Sequence, residues 1–117
     1  GEDVTKPQVT SGILNDGANV GPNRNKISLF AQDNRTVDKI VINYGTVKGL
    51  LFKSLDNEVC DEILGNNSST LKSDYNLKLD NFNDGDLIEV HIKAYDISGN
   101  VSEDLVRKFV VNKSIED

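Results

Sequence analysis

Between Asp86 and Asn100 the chain alternates almost without fault. Ile88, Val90, Ile92 and Ala94 fall on one side, and Glu89, His91, Lys93 and Tyr95 fall on the other. A repeat of two marks a strand with one face on a core and the other in water. Asp84 and Gly85 precede the run, and Ser98, Gly99 and Asn100 follow it. These residue types favour tight turns. The run predicts a central antiparallel strand entered and left through such turns.

Shorter runs of the same kind fill the rest of the chain. Residues 8–13 predict a first strand, anchored by Val9 and Ile13, and a short extended piece follows around Val20. Residues 26–32 alternate with Ile27, Leu29 and Ala31 inward, and residues 37–44 place Ile40, Ile42 and Tyr44 on one face. Gly45 and Gly49 flank Thr46, Val47 and Lys48, which predicts a loop or bulged turn. Residues 50–55 read as a strand, whereas residues 59–64 are ambiguous, because Asp61 and Glu62 also permit one helical turn. Residues 71–79 alternate at Tyr75, Leu77 and Leu79, and residues 105–111 close the chain with Phe109 and Val111 inward. No window holds a helical period over three turns. About seven short strands at a spacing of about 8–12 residues predict an all-β fold, an antiparallel β-sandwich of immunoglobulin-like type.

The length of 117 residues gives room for one domain with its own core. That domain is expected over 7–113, with 1–6 a linker and 114–117 a tail or outgoing linker. The net charge of −6, with acids spread along the chain, argues against a nucleic-acid surface or an anionic-membrane surface. No run is apolar enough for membrane insertion. The single cysteine, Cys60, excludes an internal disulfide framework and reads as a partly buried small apolar residue. The absence of Met and the start at Gly1 lead to the expectation of a piece of a longer protein. Lys outnumbers Arg and Asn is abundant, a bias that an AT-rich bacterial genome produces.

The run through Asp84, Gly85 and the alternating Ile88, Val90, Ile92 and Ala94 to Asp96, Gly99, Asn100 and Ser102 resembles the penultimate strand and turn of bacterial immunoglobulin-like and fibronectin type III-like modules. Asp3, Pro7 and Val9 resemble their common start, and Ile27, Leu29, Ala31 and Asp33 their second strand. The fibronectin tyrosine-corner position falls at Ile88, and the Trp and cysteine pair of antibody domains are missing, so the similarity is to the looser bacterial group. The resemblance implies a non-catalytic spacer or accessory module of a secreted or cell-surface bacterial protein. It implies a monomer whose partners are neighbouring domains of the same polypeptide. The alternative is an adhesin or accessory domain that binds a glycan or a host protein.

In such a sandwich the second and sixth strands run parallel, so their C-terminal ends share a pole. Asp33 and Asp96 end those strands, and Glu2 and Asp3 lead into the first strand at the same pole. Asp3, Asp33, Asp96 and Asn100 are therefore expected to converge. An oxygen-rich cluster of this kind suits calcium, a hard cation that takes several carboxylate and carbonyl ligands. The other reading is that each Asp caps its own turn. No further cofactor is expected. Tyr95, outward on its strand, is the candidate platform for a sugar ligand. His91 reads as a solvated strand residue, and no nucleophile and base stand at a triad spacing. A Lys26–Asn112 isopeptide crosslink is a further option resting on residue types alone.

Overall fold

The computed structural model describes residues 3–48 and 54–116. It is all-β among the described residues, with eight strands: β1 (Gln8–Gly12), β2 (Asn19–Val20), β3 (Lys26–Gln32), β4 (Val37–Lys48), β5 (Ser54–Leu64), β6 (Thr70–Asn76), β7 (Leu87–Asp96) and β8 (Leu105–Val111). They form a three-stranded sheet ordered β1-β3-β6 and a five-stranded sheet ordered β2-β8-β7-β4-β5. The two sheets face each other across one core. β7 is the central strand of the larger sheet, flanked by β4 and β8. Its inward residues Ile88, Val90, Ile92 and Ala94 are completely buried, as their alternation predicts. The inward row of β4 lies beside them in the same sheet, the inward row of β3 faces them from the other sheet, and Phe82 and Phe109 join the same core.

The expectation of a purely antiparallel sandwich is corrected at one edge. β2 pairs with β8 in parallel, so the larger sheet is mixed. The cause is local. β1 runs down the smaller sheet to Gly12, and the chain then crosses between layers without reversing. It arrives alongside β8 travelling in the same sense. The crossing turns on Ile13, whose φ is +74°. That left-handed residue resets the alternation: Leu14 enters the core and Ile13, expected as an anchor, is 62% exposed.

Residues 46–48, expected as a loop or bulged turn, are strand beyond a bulge, and the ambiguous residues 59–64 are strand as well. β4 continues through Gly45 to Lys48. Its register with β5 shifts between Tyr44 and Thr46. Asn57, with φ +54°, sits in the left-handed conformation that such a bulge requires. A side chain on Gly45 would meet the Asp56 carbonyl at 2.5 Å, so the bulge closes only over glycine. Residues 59–64 lie within β5, with no helical turn. Of the strand expected over 50–55, residues 50–53 lie outside the described residues, and Ser54 and Leu55 begin β5.

One polar cluster inside the sandwich was not anticipated. Tyr44 is wholly buried. Its hydroxyl accepts the Lys78 backbone N–H at 2.7 Å and bonds the Tyr75 hydroxyl at 2.8 Å. Tyr75 in turn donates a short hydrogen bond to Asp61, which also pairs with the Lys78 ammonium at 3.1 Å. Burial, reinforced by its Asp61 and Tyr44 partners, pushes the Tyr75 hydroxyl well above the ordinary phenol range. The Tyr75 hydrogen bond holds Asp61 below the ordinary carboxylate range. The relay joins β5, at the edge of the larger sheet, to β6, at the edge of the smaller one. It closes one open side of the sandwich.

Candidate metal centre

The ends of β3 and β7 meet at one pole, together with the segment that leads into β1. β7 ends at Asp96, where a turn with Gly99 at φ +90° sends the chain back. The Asp96 Oδ1 accepts the backbone N–H groups of Ser98 and Asn100, both at 2.9 Å. At the end of β3, Asp33 Oδ2 accepts the Arg35 N–H at 3.1 Å. Asp3 Oδ1 accepts the Thr5 N–H at 3.0 Å. Each aspartate therefore does cap its own turn, through one oxygen. At Asp3 and Asp33 the second oxygen is left over, whereas Asp96 Oδ2 accepts from the Asn100 side-chain amide at 2.9 Å.

The three carboxylates converge. One carboxylate oxygen each from Asp3, Asp33 and Asp96 lies within 4.8 Å of the other two. Asp3 Oδ2 and Asp33 Oδ1 are buried and accept no hydrogen bond. Asp3 is only 8% exposed and Asp96 only 2%. An orphaned buried carboxylate oxygen is expensive. Two like charges 4.8 Å apart repel by about 3 kcal/mol at an effective dielectric constant of about 20. The arrangement is one that a cation relieves. All donors are hard oxygens, with no sulfur or imidazole, which fits calcium or magnesium and not zinc.

Asn100 is in the cluster, but not as an oxygen ligand. Its side-chain NH2 donates to the Asp3 carbonyl at 3.0 Å and to Asp96 Oδ2 at 2.9 Å. It ties the leading segment to the β7 turn, and so positions two of the three carboxylates. Glu2 lies outside the described residues.

Burial opposes the charge on Asp96. Hydrogen bonds from the Asn100 side chain and from the N–H groups of Asn100 and Ser98 outweigh it and hold its pKa below the ordinary range. A depressed folded pKa adds stability that is present above the unfolded value of about 3.9 and is lost as pH falls through the folded value. Acid unfolding of the wild type should therefore steepen below about pH 4. Asp96→Asn should flatten that part of a pH-against-Tm curve, measured in chelator so that no cation contributes.

The outer face of the larger sheet carries the remaining candidates. Tyr95 is half-buried, and the Lys39 ammonium lies 5.4 Å from its ring centroid. Lys39 also pairs with Glu62 at 3.1 Å. The sugar platform expected at Tyr95 thus has a cation over its ring. His91 is not a freely solvated residue: Nδ1 lies 2.7 Å from Asp104 and Nε2 lies 2.9 Å from Glu89. Cys60 is exposed, a correction to its reading as partly buried. It lies opposite Asn43, which in turn lies opposite His91. The row has the composition of a cysteine-hydrolase triad but not its geometry. Two strand spacings, about 10 Å, separate the backbones that carry Cys60 and His91, and both imidazole nitrogens are already engaged. Asn112 uses its side-chain oxygen within its own turn, accepting from the N–H and hydroxyl of Ser114.

The convergence of the three aspartates was legible from the strand order. The tyrosine relay was not, although Tyr44 and Tyr75 both stand on inward rows, and a buried tyrosine hydroxyl demands a partner. No protein-family model, curated protein or solved structure was found to match the chain.

Proposed function

We propose that this chain is a non-catalytic immunoglobulin-like module of a larger secreted or cell-surface bacterial protein, acting as a spacer or accessory domain that one calcium ion stiffens at the pole where the chain leads in. The observation that carries it is the set of three aspartates with two buried, unpartnered carboxylate oxygens. The immunoglobulin-like reading is supported by strand order. β1-β3-β6 correspond to strands A, B and E, and β8-β7-β4 to G, F and C, with β5 added as in variable-type domains.

The spacer reading is supported by the placement of the two ends of the described chain. Asp3 packs against Asn100 at one pole. Ile115 lies at the other, beside Gly21 and the end of β8. In a series of such modules, calcium bound by Asp3 would fix the angle of whatever precedes it. The second reading, a ligand-binding accessory domain for a glycan or a host protein, rests on Tyr95, and the Lys39 ammonium over that ring leaves it less support.

Calcium that binds only the folded state raises stability by about 2.7 kcal/mol at a hundredfold excess over Kd. For a domain of this size that is a rise in Tm of about 10 °C between chelator and millimolar calcium, by scanning calorimetry. Magnesium, which demands six ligands in near-ideal octahedral geometry, should give less. An unchanged Tm in calcium would remove the cation from the account.

A further inference from the structure

At the pole opposite the aspartates, a cleft of about 450 Å³ opens between the β1–β2 crossing, the β2–β3 turn and the end of β6. Its walls include Ile13, Pro22, Asn23, Arg24, Lys26 and Asn76. The backbone beneath it is fixed from several sides. Gly21 and Arg24 pair with each other across the turn at 3.2 and 3.0 Å. Gly21 is pressed so closely on the end of β8 that a Cβ there would lie 2.5 Å from the Asn112 carbonyl. Asn25 donates its side-chain amide to the Leu77 carbonyl at 2.9 Å, and the Leu77 N–H returns a bond to the Asn25 carbonyl at 2.8 Å. A site so held needs little ordering when a ligand arrives.

Two features of this cleft have no explanation in folding. The first is the side chain of Ile13. The crossing between sheets requires a left-handed residue, and that accounts for the φ of +74°. It does not account for isoleucine, since a β-branched residue is strained there and glycine or asparagine is not. Nor does burial account for it, because the side chain is largely in water. Strain retained in this way is a pointer to function. The second feature is the pair of cations. Arg24 and Lys26 are exposed, both line the cleft, and among the described residues neither has a carboxylate within 4.0 Å. On a chain of net charge −6, two neighbouring unpaired cations make a local anion-attracting site.

We propose that this cleft binds a carboxylate-bearing sugar. Arg24 and Lys26 take the carboxylate, Arg24 being suited to bidentate contact. Ile13 and Pro22 offer the apolar surface on which the C–H face of a sugar ring lies. The amides of Asn23 and Asn76 both donate and accept, which is what ring hydroxyls require. The volume is within the range of small-molecule sites and suits one or two rings. This site is independent of the cation at the other pole.

The test is a titration of the ¹⁵N-labelled chain, in chelator, with sialyllactose and with glucuronate. Lactose serves as the neutral control and an oligoglutamate peptide as a non-sugar acid. The backbone amides of Ile13, residues 23–26 and Asn76 should shift with the two acidic sugars and stay still with lactose. Arg24→Gln and Lys26→Gln should each weaken binding about tenfold. Ile13→Asn should weaken binding while raising Tm by about 4 °C, because it relaxes the backbone. A merely structural role would give the rise in Tm without the loss of binding. No shifts at about 10 mM acidic sugar (an affinity weaker than about −3 kcal/mol) would overturn the proposal. So would equal shifts with lactose, or tighter binding of the peptide than of either sugar.

Discussion

Replacing Tyr44 with alanine is expected to lower stability by about 4–6 kcal/mol, close to the whole stability of many domains of this size. Two losses add. The ring is wholly buried and packs at centroid distances of 6.1 Å on Tyr75 and 6.2 Å on Phe82, so its removal opens a cavity at the centre of the core. Its hydroxyl also accepts the Lys78 N–H and partners Tyr75, and both would be left short of a bond. Tyr44→Phe separates the two losses. It keeps the ring and removes only the hydroxyl, for an expected cost of about 1–3 kcal/mol. Urea unfolding reads both variants, with a lower midpoint and an unchanged slope for the phenylalanine. If Tyr44→Phe matched the wild type, the tyrosine relay would contribute nothing to closing the edge between β5 and β6.

Asp33→Asn is expected to change the sign of its effect with calcium. Asparagine can still accept the Arg35 N–H, so the turn at the end of β3 survives. In chelator the substitution removes one of three clustered negative charges and supplies an amide that can donate to the remaining carboxylates. Tm should rise, by the equivalent of about 1 kcal/mol. In millimolar calcium the same substitution removes an anionic ligand, and a tenfold to hundredfold weaker site forfeits about 1.3–2.3 kcal/mol of calcium stabilisation, which outweighs that gain and leaves the variant about 0.3–1.3 kcal/mol less stable than wild type. A crossover of the two calorimetric curves is hard to obtain from a turn that merely caps itself. A loss of the same size with and without calcium would mean that Asp33 acts only through its turn.

The fold was legible wherever one face of a strand is buried, because burial imposes a repeat of two. The inward rows of β3, β4, β7 and β8 stand where the alternation puts them, and β3 and β8 match residue for residue. The reading failed where the chain changes layers. Nothing in the residues around Ile13 announces a left-handed conformation, since isoleucine is among the residues least suited to it. The error moved the core anchor by one position, from Ile13 to Leu14, and hid the parallel pairing of β2 with β8. β5 was ambiguous for a different reason. As an edge strand it buries little, so its pattern is weak, and its acidic residues suit an unpaired edge as well as a helical turn.

The candidate site was legible in its three carboxylates, which follow from two parallel strands ending in Asp33 and Asp96 beside the leading segment. It was not legible in Asn100. Residue type marks an amide as either donor or acceptor, and only the packing shows that its NH2 faces Asp3 and Asp96.

Diffraction from a crystal of the chain grown in calcium tests the central claim most directly. The account predicts one density peak at this pole, with oxygens of Asp3, Asp33 and Asp96 at about 2.3–2.6 Å from it and carbonyl or water oxygens completing six to eight ligands. A clear map with no peak between the three aspartates, or with calcium bound only elsewhere, would contradict it.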